Sequence, residues 1–443
     1  MDLWSVLAAF GFLTVLGVFV GMLTGLSPGL HVNNVAAFLI AAQAAWIGLL
    51  AIVSPGLSSE PGMMQVSLSC FLVATASSHA VFTFIPSVFL GAPTEDTALA
   101  TLPGHRLLRS GQGATAVALA ARGAVLGTLL SVALLVPLRL LLVEPVDVAG
   151  RFHPWAPLFL VGVLGALLAA EARGRRRVPR VVRAGLVQAL AGILGIATLR
   201  GSLPIDPAMI LFPLFSGLFG LPNLLVGLAA GRGDMPPQRL DPLRGLSRED
   251  ARSALRGSLA GAAISWLPGL SGGAAATLAS VGSGKRVGPS QFMVVLGAVS
   301  SSTGLLSVAV LYMIHRSRSG AAAAVRVLVG EPSVWPDPAS MPVALLLLVL
   351  AAVGATAASG PLAVRLSRRL AKRWSRSDPR RPAAISLLAI LGLLAFTTGA
   401  AGLAVAGCAT LLGFVPIRLR VRRVHLMASL LIPVLLSALF AEA

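Results

Sequence analysis

Long apolar runs recur along the whole chain, and residues 4–23, 30–53 and 291–314 are three of them. A run of about twenty apolar residues is long enough to cross a bilayer as a helix. Only 12% of the residues are charged, about half of what a soluble domain carries. The sequence therefore predicts an all-α polytopic protein of the plasma membrane, and it excludes a soluble enzyme and a disordered chain.

Basic residues account for the net charge of +19, and they cluster in short segments between apolar runs. Residues 173–183 contain six arginines, whereas residues 54–62 and 203–207 contain no lysine or arginine. Cytoplasmic loops of membrane proteins are enriched in Lys and Arg, so the basic segments, including 365–381 and 418–423, are predicted to be cytoplasmic. This pattern explains the charge without nucleic-acid binding.

A long internal repeat is visible around two Pro-Gly motifs. The segment 21–30 aligns with 261–270 at an offset of 240 residues, and the loops that follow the two copies carry opposite charge bias. Opposite bias predicts two inverted-topology repeats, as in many secondary transporters. The predicted organisation is a first transmembrane half over 1–230, a cytoplasmic linker over 231–256 and a second transmembrane half over 257–443.

Each Pro-Gly motif interrupts an apolar run, which predicts broken or re-entrant helices. Residues 255–267 and 274–281 are each too short to span a bilayer. The sequence therefore predicts that they form a re-entrant hairpin around the second motif. Residues 383–415 are too long for one helix, and Thr397-Thr-Gly399 predicts a break within them.

The two motifs are the best candidates for a substrate site. A broken helix in hydrocarbon leaves backbone groups that must face protein, water or a ligand, and helix N-termini favour anions. The candidate substrate-binding residues are Ser27, Pro28, Gly29, His31, Asn33, Asn34, Pro268, Gly269, Ser271, Gly272 and Gly273. The alternatives are a proline kink with glycine packing, and a capping or packing role for the histidine.

Other polar groups inside or beside apolar runs are candidates for coupling and gating. They are Ser78, His79, Glu95, Asp96, His105, Arg106, Ser302 and Thr303. Hydroxyls also hydrogen-bond to their own helix, and the segment 95–106 is also interpretable as a structural loop with a short capped helix. No ATP-binding, hydrolase or metalloprotease motif is present, and Cys70 and Cys408 lie in apolar segments, so neither an enzyme nor a bound cofactor or metal is predicted.

Several stretches together resemble the TctA-like membrane proteins, the large permease subunit of tripartite tricarboxylate transporters, and especially their archaeal branch. They are Leu26-Ser-Pro-Gly-Leu-His-Val-Asn-Asn34, Glu95-Asp-Thr-Ala-Leu99 with Leu102-Pro-Gly-His-Arg106, Pro213-Leu-Phe-Ser-Gly-Leu-Phe-Gly-Leu-Pro222, Leu267-Pro-Gly-Leu-Ser-Gly-Gly273 and Val421-Arg-Arg-Val-His-Leu-Met427.

The resemblance implies an uptake permease for a small organic anion, a di- or tricarboxylate, coupled to sodium ions or protons. It also implies a small membrane subunit and an extracytoplasmic binding protein as partners. The second Pro-Gly motif is similar to one in polyprenyl-phosphate translocases, so a lipid phosphate is an alternative substrate. A membrane-embedded enzyme acting on a lipid is a third hypothesis.

Overall fold

The protein is described from a computed structural model. The structure describes residues 3–27, 32–53, 62–89, 101–169, 171–172, 177–206, 209–229, 236–240, 245–267, 272–281, 287–317, 319–330, 332–374 and 380–440. Every regular element within these ranges is helical, and none is a strand.

The first part of the chain forms twelve described helices. In chain order they are α1 (Leu3–Leu26), α2 (Val32–Ala41), α3 (Gln43–Val53), α4 (Met63–Phe82), α5 (Phe84–Phe89), α6 (Thr101–Arg109), α7 (Gly113–Leu142), α8 (Val148–Phe152), α9 (Ala156–Ala169), α10 (Arg177–Leu199), α11 (Leu211–Phe215) and α12 (Leu221–Ala229). A π-helical turn, Ser216–Gly220, joins the last two.

The second part of the described chain forms seven helices. They are α13 (Arg248–Ile264), α14 (Gly272–Val281), α15 (Pro289–Ile314), α16 (Gly320–Val329), α17 (Val343–Trp374), α18 (Arg380–Leu419) and α19 (Ala428–Phe440). A 3₁₀ turn, Arg423–Met427, leads into α19. Helix α13 begins inside the segment 231–256 that the sequence suggests is a linker, with Ser247 and Asp250 forming a capping box at its start.

Eight segments of the described chain are long and apolar enough to cross a membrane. They contain α1, α4 with α5, α7, α10, α15, α17, α18, and the 3₁₀ turn with α19. This confirms the predicted all-α polytopic fold. The predicted break in the long run 383–415 is also confirmed, because Gly399 in α18 has a non-helical backbone with φ of 60°.

Helices α4 and α15 are the most buried of these segments, and the others pack around them. Helix α4 contacts α1 and α17, while α15 contacts α7 and α13. Apolar side chains on the far side of α1 are exposed, with Phe12 at 64% exposure, as expected for a surface that faces lipid. The two buried helices therefore form the core that positions any internal site.

Glycines spaced four residues apart let the neighbouring helices approach α4 and α15 closely, as small residues commonly do in membranes. A Cβ at Gly21 would lie 2.7 Å from the Cβ of Ser78 on α4, and a Cβ at Gly261 would lie 2.7 Å from the Cβ of Ser302 on α15. The two glycines are 240 residues apart, the offset of the Pro-Gly motifs. Both motifs thus follow a glycine-packed helix, while the inverted orientation of the halves stays a prediction.

Replacing Gly21 by alanine should destabilise the fold. The new methyl would overlap the Thr75 carbonyl oxygen and the Ser78 side chain, so α1 and α4 would have to separate at a cost of about 1–3 kcal/mol. The measurement is the midpoint of thermal denaturation in detergent. Gly11→Ala on the same helix is the matched control, because nothing lies within 4 Å of a Cβ at that position. Equal midpoints for the two variants would contradict the packing.

Candidate functional site

A cavity of about 120 Å³ lies between α2, α4, α15 and α16. Helix α4 contributes residues from its C-terminal half, together with Thr83 just after its end, and α15 contributes residues from the middle of its length. Helices α2 and α16 contribute their first turns. The polar residues that line the cavity are Asn33, Ser77, His79, Thr83, Ser300, Ser301, Thr303 and Ser319. No Asp, Glu, Lys or Arg is among the described lining residues, so the described wall of the cavity carries no permanently charged side chain.

The hydroxyls of α15 divide into two groups. Ser301 Oγ donates to the Ala124 carbonyl at 2.8 Å, and Ser302 Oγ donates to the Gly127 carbonyl at 3.0 Å, so both tie α15 to α7. Ser300 Oγ and Thr303 Oγ1 are buried and have no hydrogen-bond partner within the described part of the chain. A buried hydroxyl without a partner is costly, so these two are available to a ligand in the cavity.

His79 is held in the cavity wall by α1. Its Nδ1 lies 3.0 Å from Thr24 Oγ1, and the Thr24 hydroxyl donates to the Gly21 carbonyl at 3.2 Å. Thr24 therefore links the His79 ring to the backbone of α1. The orientation of His79 therefore depends on the helix that precedes the first Pro-Gly motif.

Two helix N-termini meet at the cavity. Helix α2 begins at Val32, directly after the first motif, and α16 begins at Gly320 with Ser319 as its N-cap, whose Oγ accepts from the Ala322 amide at 3.1 Å. The Asn33 carboxamide lies against Gly320 so closely that any Cβ there would overlap it. Both N-termini carry partial positive charge, which favours an anion between them.

The structure places the other predicted site residues as follows. Pro28, Gly29, His31, Glu95, Asp96, Pro268, Gly269 and Ser271 lie outside the described residues. Ser27 follows α1 and hydrogen-bonds through its amide to the Leu23 carbonyl, and Asn34 lies in the first turn of α2. The Ser78 hydroxyl donates to the Val18 carbonyl at 2.8 Å, so it joins α4 to α1, as Ser302 joins α15 to α7.

The helix that follows the second Pro-Gly motif lines another cavity. Gly272 and Gly273 begin α14 and are buried, and Thr277 of α14 lines this cavity together with Arg106 of α6. The described lining of the first cavity includes Asn33 of α2 and Gly320 of α16 but no residue of α14. Sequence reasoning missed Ser319 and Gly320, although a serine before an alanine-rich helix is a recognisable N-cap signal.

His105 on α6 is half-buried beside two arginines. Burial, together with the positive charges of Arg109 and Arg423, lowers the pKa of His105 from its ordinary 6.5 to about 4. The imidazole is therefore neutral in the folded protein at neutral pH.

The depressed pKa of His105 predicts a pH-dependent loss of stability. Between about pH 6.5 and pH 4 the unfolded chain binds a proton at this residue and the folded chain does not, so the free energy of unfolding falls as the pH is lowered through this range. His105→Gln should therefore show a flatter decline of melting temperature between pH 7 and pH 4.5 than the wild type. Parallel curves for the two proteins would refute the assignment.

Comparison with models of protein families identifies one family for this chain. The model of the family described as "Tripartite tricarboxylate transporter TctA family" matches residues 12–428. An uncharacterized protein of Methanocaldococcus jannaschii is 30% identical over 314 residues, which cover 71% of this chain and 72% of the relative. No solved structure matches the chain significantly.

Proposed function

Because the chain belongs to the tripartite tricarboxylate transporter TctA family, we propose that it carries a small di- or tricarboxylate across the plasma membrane and that the cavity between α2, α4, α15 and α16 binds this substrate. The chain is a multi-pass membrane protein of a transporter family, with eight candidate spans in the part that the structure describes. The identity of the substrate, its site and the coupling to an ion are the proposal.

The observation that carries the proposal is the convergence of two helix N-termini on buried neutral donors. Asn33, Ser300 and Thr303 line the same cavity as the first turns of α2 and α16. A fixed charge in a membrane span costs about 2.5–3.5 kcal/mol on insertion scales, and neutral donors avoid this cost when the site is empty. The volume of about 120 Å³ equals that of about four water molecules at roughly 30 Å³ each, which is the size of a small carboxylate.

The family description also supports partner subunits. A tripartite system implies two further components, which we propose to be a small membrane subunit and an extracytoplasmic binding protein. No organic cofactor is proposed. The polyprenyl-phosphate alternative gains no support from this cavity, because no arginine is among its described lining residues.

Removing the two hydroxyls of α15 that lack protein partners should weaken carboxylate binding. A hydrogen bond is worth about 0.5–1.5 kcal/mol net, so Ser300→Ala with Thr303→Val should lower affinity for citrate or succinate by roughly tenfold or more. The measurements are labelled-citrate and labelled-succinate uptake into proteoliposomes and equilibrium binding in detergent.

Ser307→Ala is the matched control for this experiment. Ser307 lies on the same helix, and its hydroxyl donates to the Thr303 carbonyl at 2.6 Å, within α15 and away from the cavity lining. It should leave affinity unchanged. Wild-type affinity in the Ser300/Thr303 variant, measured on folded protein, would show that the substrate does not bind in this cavity.

Proton coupling is proposed to pass through His79, the only titratable side chain among the described residues that line the cavity. His79→Gln should abolish the acceleration of uptake by an inward proton gradient while counterflow exchange of substrate continues. Uptake in the wild type that follows a sodium gradient and ignores the proton gradient would show that sodium is the coupling ion. Unchanged proton dependence in His79→Gln would exclude this residue.

A further inference from the structure

The two core helices are accessible in the middle of their length only at the first cavity, which lies between α2, α4, α15 and α16. On α15, every residue of the range 293–313 is buried except Thr303 and Gly304, and both line the cavity. On α4, the range 66–82 is buried apart from three residues that also line it, namely Ala76, Ser77 and Ala80. The cavity exists because the side chains at these five positions are small or absent.

Gly304 is the most open of these positions. It is the only exposed residue of α15. Apart from its chain neighbours and the backbone of its own helix, no described atom lies within 4 Å of a Cβ built on it. It follows Ser300 by one helical turn on the same face, and both residues line the cavity. A side chain at position 304 would therefore extend into the space that the Ser300 hydroxyl lines.

Packing explains the other glycine of α15 but not this one. A Cβ at Gly297 would overlap the carbonyl oxygen of Ala120 on α7, so the contact between these two helices requires a glycine there. Glycine inside a helix is unfavourable relative to alanine, because it loses more backbone freedom on folding. No described contact offsets this cost at Gly304. What Gly304 contributes is open volume in the cavity.

The backbone of α15 is fixed beside this open volume. Gly297 lies against α7, and the Ser301 hydroxyl donates to the Ala124 carbonyl at 2.8 Å, one turn before Gly304. A methyl group takes up about as much space as a water molecule, roughly 30 Å³. This is a substantial part of a cavity of about 120 Å³. An added side chain at position 304 would therefore reduce the cavity and would not displace the helix.

We propose that Gly304 sets the size limit of the first cavity, so that the side chain at this position determines the largest ligand that the cavity admits. Gly304 is then a specificity-determining residue, distinct from the hydroxyls that bind the ligand. The use of dicarboxylates as probes rests on the proposed function, whereas the size limit rests on the geometry of α15.

The first test is a series of unbranched dicarboxylates of increasing length, namely malonate, succinate, glutarate and adipate, measured by isothermal titration calorimetry in detergent. Gly304→Ala should lower affinity for the longest acid that the wild type binds by about tenfold or more, and change affinity for the shortest by less than about threefold, because one methylene in a pocket discriminates by roughly 10–200-fold. Gly304→Val should move the limit further towards short acids.

Gly354 on α17 provides the matched control. It is also exposed in the middle of a helix, nothing lies within 4 Å of a Cβ built on it, and it is not among the described lining residues of the cavity. Gly354→Ala and Gly354→Val should keep the wild-type dependence of affinity on length. Both alanine variants should melt at or above the wild-type temperature, because alanine stabilises a helix relative to glycine where there is room for its methyl group.

The second test needs no carboxylate. Ser77→Cys with Cys408→Ser places a thiol in the cavity wall, and its modification by methyl methanethiosulfonate is compared with that by the bulkier benzyl methanethiosulfonate. Adding Gly304→Val should slow the benzyl reagent by about tenfold or more and the methyl reagent by less than about twofold, because only the larger group would overlap the new side chain. Adding Gly354→Val should slow neither.

The outcomes separate this inference from the proposed function. If the wild type binds these acids and the Gly304 variants keep its dependence on length, the inference is wrong and the proposed function stands. If the wild type binds none of the acids, the proposed function is contradicted and the thiol reagents decide alone. Selective slowing of the benzyl reagent by Gly304→Val then supports the size limit, and equal effects on both reagents overturn it.

Discussion

Close backbone contact between α15 and its neighbours is the interaction on which the rest of the structure depends. Lipid tails are as apolar as the helix surfaces, so membrane helices associate through packing and hydrogen bonds between them. Glycines on both sides make this contact possible: Gly123, Gly127 and Gly297 where α7 meets α15, and Gly257 and Gly261 where α13 meets it. The contact brings Ser301 and Ser302 within reach of α7 carbonyls. It thereby leaves Ser300 and Thr303 directed at the first cavity.

The two described cavities differ in the charge of the side chains that line them. The first uses neutral hydroxyls, a carboxamide and helix N-termini, so it carries no fixed charge among the described side chains that line it. The second is lined by four arginines, one on α6 and three on the turn between α18 and α19.

Part of this arrangement could be predicted from the sequence, because it depends on local patterns. The interruptions of apolar runs, the glycine break at Gly399 and the all-helical fold follow from run length and from glycine chemistry. Asn33, His79 and Thr303 were also identified from sequence as polar groups inside apolar segments, and they line one cavity. The face of α15 that each hydroxyl occupies could not be predicted, because a run of four adjacent hydroxyl residues covers the whole circumference of a helix.

Contacts between residues that are far apart in the sequence could not be predicted either. Two contacts are properties of packing and not of local sequence: Asn33 of α2 meets α16, and Arg106 lines a cavity with a turn more than three hundred residues further along the chain. The 240-residue offset relates Gly21, which packs against α4, to Gly261, which packs against α15. It does not predict which other helices lie next to each motif. The inverted relation of the halves, and the motif residues outside the described ranges, stay predictions.

Protection of an engineered cysteine by substrate tests the central claim most directly. Ser77 lines the first cavity, Cys70 is fully buried and Cys408 is exposed, so Ser77→Cys in a Cys408→Ser background presents one reactive thiol to the cavity. Citrate should slow its modification by a methanethiosulfonate reagent, while Ser202→Cys, at an exposed loop position, should react at the same rate with and without citrate. Protection at position 77 alone is the result that the account predicts. Equal rates at position 77 with and without saturating citrate would contradict it.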